Sequence, residues 1–215
     1  MTLESSLLEK LVLVIFGWLL GLLAPIITDG IKRRRENEMG RTALLAELRE
    51  VAHKLALAAH GVYMQQGTMD RSKLEWLKIA LERYAGAHDP QRLLESMRKL
   101  LAMTDQEIAA NSKAFAKLQK PGLVLQRYSV PLLDARVSAL WTFDTSFTRE
   151  LLEIKANLAM LDDLVDRSRH YSDLTFGKLE GDNYRLVVEN LAQCWDLYAD
   201  RARQVVARID SLKHV

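Results

Sequence analysis

Asp162, Asp166 and His170 stand four residues apart, so on a helix they share one face, with Asp163 and Asp173 nearby. Two carboxylates and an imidazole in a row are ligands for a divalent cation, or an acid and a base for catalysis. The row rises about 12 Å from end to end, too far for one ion. Arg167 and Arg169 also stand ready to neutralise it. A solvated charged face is therefore the leading reading, with a metal or acid–base role for Asp162, Asp166 and His170 second. His53 and His60 lie two turns apart and cannot meet one metal from a straight helix; they are expected to flank packed positions. Cys194, the single cysteine, sits in an apolar seam and reads as an inert core thiol. The sequence carries no Walker loop, GxSxG, paired CxxC or HExxH. That argues against the common enzyme classes and implies no cofactor.

Arg83-Tyr84-Ala85-Gly86-Ala87-His88 has the spacing R-x4-H. It resembles the active-site signature of HEPN-type ribonucleases, which are also all-helical. The resemblance covers these six residues. It implies that Arg83 and His88 lie at a helix end and act across a dimer on RNA. The competing reading is that Arg83 closes a surface face and His88 precedes a helix cap. With eighteen arginines and five histidines a hit or two at such spacings is expected by chance, and Arg208 to His214 is one such extra hit.

The elements that must position these residues begin with an apolar segment. Leu11 to Ile27 holds no charged residue, and twelve of its residues are Leu, Ile, Val or Phe. Each favours insertion by roughly 0.3–0.6 kcal/mol near a bilayer centre. As a helix the run measures about 26 Å, close to the ~30 Å hydrocarbon core. A cleaved signal peptide fits less well, because Glu4 and Glu9 precede the run and Pro25-Ile26-Ile27 is a poor cleavage site. An amphipathic surface helix would need a polar face that the run lacks. A transmembrane helix is the expectation. Lys32, Arg33, Arg34 and Arg35 follow it, with Arg41 beyond, whereas Lys10 alone precedes it. The positive-inside rule then puts the N-terminus outside and the rest in the cytoplasm, with the basic cluster at the lipid headgroups. Gly17 and Gly21 form a GxxxG, a groove through which such helices pack together. Pro25 is expected to bend the exit turn.

The chain has 215 residues, 49% hydrophobic and 27% charged, with a net charge of +2. These are globular values, and the near balance of charge argues against nucleic acid as a partner. After the anchor, helices are expected over 31–65, 70–85, 90–103, 105–119, 145–169 and 183–212, preceded at 131–142 by a short helical segment. Heptad-like seams run through Leu44, Leu48, Val51, Leu55, Ala58 and Val62, and through Phe147, Leu151, Ile154, Leu158, Leu161 and Val165. Thr104 to Glu107 reads as a capping box, Asp89-Pro90 as a helix start, and Gly67 and Pro121-Gly122 as stops. Tyr171 to Asp182 is the expected loop of an antiparallel hairpin. Helix four is expected to bury Ile108, Ser112, Phe115 and Leu118. Trp141, Phe143 and Phe147 are expected to form a hydrophobic elbow.

The expected fold is thus all-α: residues 1–30 a transmembrane anchor, residues 31–215 a cytoplasmic multi-helix bundle with long heptad-like helices. The expected function is that of a membrane-anchored, self-associating effector or accessory module without enzymatic activity, held in a bacterial inner membrane that it perturbs on assembly. Its partners would be lipid, further copies of itself and a cytoplasmic protein. This layout resembles the small single-span helical accessory proteins of prokaryotic antiviral systems, including HEPN-like ones in CRISPR loci. A membrane-tethered ribonuclease and a passive scaffold are the alternatives.

Overall fold

A computed structural model describes residues 2–86, 88–118, 123–177 and 181–212; the side chains of 2–12, 19–20 and 23–27 fall outside that description. Among the described residues the secondary structure is all helical, without a strand. The α-helices are α1 (Thr2–Gln66), α2 (Arg71–Glu82), α3 (Gln91–Leu101), α4 (Asp105–Leu118), α5 (Pro131–Arg136), α6 (Thr145–Thr175) and α7 (Asp182–Ser211), with a 3-10 helix at Val137–Thr142. The chain divides into two compact units, Met1–Ala43 and Leu44–Val215.

In the first unit α1 is helical through Gly30 and Gly40. Among the described residues no helix is long and apolar enough to cross a membrane. The expected span, Leu11 to Ile27, lies partly outside them, since its side chains at 11–12, 19–20 and 23–27 are not described. Those that are described, Leu13, Val14, Ile15, Phe16, Trp18 and Leu22, are all exposed.

The second unit is built on two apolar seams. Leu44, Leu48, Val51, Leu55, Ala59 and Val62 are buried on α1. Ala58 is only half-buried, and Ala52, Ala56 and Ala59 widen the stripe instead. That width suits a helix enclosed in a bundle rather than paired in a narrow coiled coil. On α6 all six seam residues from Phe147 to Val165 are buried. Each large side chain so buried contributes about 1.5–3 kcal/mol. α7 packs on α6 as an antiparallel hairpin, with Arg208 reaching Glu150 at 3.3 Å and Arg201 reaching Asn157 at 2.9 Å. α6 continues to Thr175, well into the segment expected as loop. Phe176 and Gly177 turn the chain after α6, and Gly181, ahead of α7, stands at φ 55°, where a Cβ would be strained.

Local signals set the smaller helices. Asp70 caps α2 by accepting from the Lys73 N–H at 2.8 Å. The capping box forms, with Thr104 N–H donating to Glu107 at 2.7 Å and Glu107 N–H to Thr104 Oγ1 at 3.3 Å. Gly67, at φ 66°, turns the chain from α1 toward α2, and a Cβ there would press on Ala116 and Lys113 of α4 at 3.2 Å. α4 therefore meets the bundle through a narrow stripe, Ile108 and Ser112, and Ser112 Oγ accepts the Met69 N–H at 3.0 Å. Phe115 and Leu118 lie off that stripe, so the expectation that they are buried is corrected; Leu118 is 82% exposed. Trp141 is corrected likewise. It is 79% exposed, while Phe143 and Phe147 meet edge to face at 5.4 Å.

Candidate functional site

A group of titratable side chains in the second unit lies where α1, the end of α2 and α7 meet. His53 occupies the inward side of α1 next to Ala52 and Ala56 and is only 7% exposed. Its ring stacks on Tyr84, just past α2, at 3.9 Å between centroids and 15° between planes. The Tyr84 hydroxyl donates to Glu50 Oε1 at 2.7 Å and accepts the His88 N–H at 3.3 Å. The His88 ring stands edge-on to His53 at 6.4 Å. Gly86 passes so near that a Cβ would overlap Glu50 Oε1 and the Tyr84 ring. Arg83, the C-cap of α2, pairs with Asp210 of α7 at 3.0 Å. Arg49, Ala80 and Val206 complete the walls of a small cleft beside His53.

Burial is the main influence on His53 and lowers its pKa; Glu50 opposes this, and His88 and Lys54 add to it. Burial thus disfavours the charged form of the ring. Among the described residues its Nδ1 has no hydrogen-bond partner. The arrangement can bury a base, hold it against a phenol and expose an ion pair at its rim. Arg83 and His88 thus come to the same end of α2, yet the arginine is engaged by a carboxylate and the histidine backbone by Tyr84.

The acidic row of α6 is not drawn together. Asp166 pairs with Arg127, and Asp162 lines a separate groove with Arg127, Tyr128, Asp134 and Lys155. Burial raises the Asp162 pKa, against the pull of Arg127. His170 is exposed beside Tyr171, with ring centroids 5.8 Å apart. No group of three such ligands suited to a metal ion occurs among the described residues. Cys194 is buried and free, and burial raises its thiol pKa. His60 is held by burial at about 4. In the first unit Gly17 and Gly21 are exposed, and a Cβ at either would meet nothing within 4 Å. Lys32 lies 4.0 Å from Glu36, and Arg33, Arg34 and Arg35 are exposed.

Sequence reasoning paired Arg83 with His88 but missed His53, Glu50 and Asp210 as their neighbours. Those contacts join residues more than thirty positions apart, and no local spacing encodes them. Comparison with protein-family models, curated proteins and solved structures finds no match for this chain.

Proposed function

We propose that the chain is a membrane-anchored, self-associating helical module of the bacterial inner membrane, whose cytoplasmic bundle binds a partner and catalyses no reaction. One observation carries this reading. Leu13, Val14, Ile15, Phe16, Trp18 and Leu22 point around the whole circumference of α1 and all are exposed, within a run that has no charge from Leu11 to Ile27. Apolar surface on every side of a helix suits lipid or other copies of that helix, not one groove on a folded domain. The open surface at Gly17 and Gly21 supports close approach of a second copy. Lys32 to Arg35 supports an orientation with the bundle in the cytoplasm. The engagement of Arg83 by Asp210 supports a positional role for that arginine. An assembly of such spans would have an apolar wall and would act by perturbing the bilayer, the kind of effect expected of an antiviral effector.

The test is alkaline carbonate extraction of membranes, followed by light scattering of the full-length protein in mild detergent. The expected result is a membrane-retained protein that forms a homogeneous oligomer, disrupted by Gly17→Leu with Gly21→Leu. Release by carbonate would overturn the anchor. An oligomer indifferent to both substitutions would overturn the glycine interface. RNA cleavage by purified protein that His88→Ala abolishes would replace the reading with a tethered ribonuclease.

A further inference from the structure

The His53–Tyr84 stack has a property that does not depend on how the chain meets a membrane. The ring of His53 is buried, its Nδ1 lacks an acceptor among the described residues, and Tyr84 covers one face of it. We propose that this stack is a proton-sensitive joint: neutral His53 holds the C-terminal end of α2 on α1, and protonation of His53 releases that end.

The charges around the ring decide the direction. From α1 it is faced by Arg49, Glu50 and Lys54. The end of α2 brings Arg83 and Tyr84, and the following segment brings His88. α7 brings Asp210, which is engaged with Arg83. Glu50 is the carboxylate nearest in sequence, and its Oε1 already accepts the Tyr84 hydroxyl. A proton on His53 would therefore sit in a buried position, its Nδ1 without an acceptor among the described residues; Glu50 favours the charge, but burial outweighs it, and His88 and Lys54 oppose it. Moving Tyr84 off the ring opens the stacked face to solvent. Tyr84 is joined through Arg83 to the last turn of α2, where Arg83 N–H donates to Ile79 and Tyr84 N–H to Leu81. Movement of Tyr84 thus loosens the end of α2 and strains the Arg83–Asp210 pair. Because a released His53 regains an ordinary affinity for protons, the ratio of released to held forms rises as pH falls below the free-histidine value near 6.5, by up to about tenfold at pH 5.5.

Hydrogen exchange of the full-length protein in detergent, corrected for intrinsic rates, tests this at pH 7.5 and pH 5.5. The Arg83 and Tyr84 amides are expected to lose up to about tenfold in protection at pH 5.5, while the Ile108 amide of α4 stays unchanged. His53→Phe keeps a stacking ring without a titratable nitrogen and is expected to abolish the loss. His53→Gln serves if the phenylalanine variant does not fold. Equal protection at the two pH values in the native protein would overturn the proposal. So would an undiminished loss in either folded variant, which would assign the effect to His88 or another group.

Discussion

Acid should weaken the helical bundle through His60, by an amount that follows from its burial. A free histidine titrates near 6.5, and burial holds His60 at about 4. The unfolded chain therefore binds a proton that the folded chain refuses. Because the folded pKa is the lower one, the contribution to stability is complete above pH 6.5. It is lost as pH falls toward 4, where both states become protonated. At 1.36 kcal/mol per pKa unit the full loss is about 3 kcal/mol, of which about 2 kcal/mol is gone by pH 5. The perturbation is His60→Leu, close in volume and without a charge to bury. It also removes an Nδ1 that has no partner among the described residues, so the variant should be at least about 1 kcal/mol more stable at pH 8. Urea midpoints followed by tryptophan fluorescence, on full-length protein in micelles at pH 8, 6 and 5, give the comparison. Carboxylates titrate in both proteins and cancel in the difference. The stability gap between variant and native protein should widen by about 2 kcal/mol between pH 8 and pH 5. A gap that stays constant with pH would refute the assignment of a suppressed proton site to His60.

Glu47 accepts the Leu132 and Leu133 N–H groups at 2.8 and 2.9 Å and so fastens the start of α5 to α1. Glu47→Ala should cost about 2 kcal/mol in the same unfolding assay, and Glu47→Gln less. Arg71 reaches Asp105 at 2.6 Å, Leu101 O at 2.8 Å and Met103 O at 2.5 Å, tying α2 to the turn between α3 and α4. Arg71→Ala should lower stability by about 2 kcal/mol, and Arg71→Lys should recover little because an ammonium lacks the planar fork. Gly67→Ala, at φ 66° and against α4, should cost at least about 1 kcal/mol, read as a lower thermal midpoint.

The sequence by itself determined that the chain is helical and, along α6, which side is apolar. The heptad-like spacing from Phe147 to Val165 is a local property, and the core takes all six of those residues. The capping box at Thr104 and the glycine stop at Gly67 are equally local, since each satisfies or redirects a few neighbouring backbone groups. What lies across from each helix was decided by tertiary structure. Periodicity extended the stripe of α4 to Phe115 and Leu118, but the narrow contact with Gly67 and Met69 leaves both in solvent. The glycines near Gly177 marked the hairpin turn, yet packing carries α6 on to Thr175. The candidate site divides in the same way. Arg83 and His88 are visible as a spacing, because they share one helix end. The burial of His53, its stack on Tyr84 and the reach of Asp210 to Arg83 depend on three helices meeting, and only the assembled bundle brings those residues into contact.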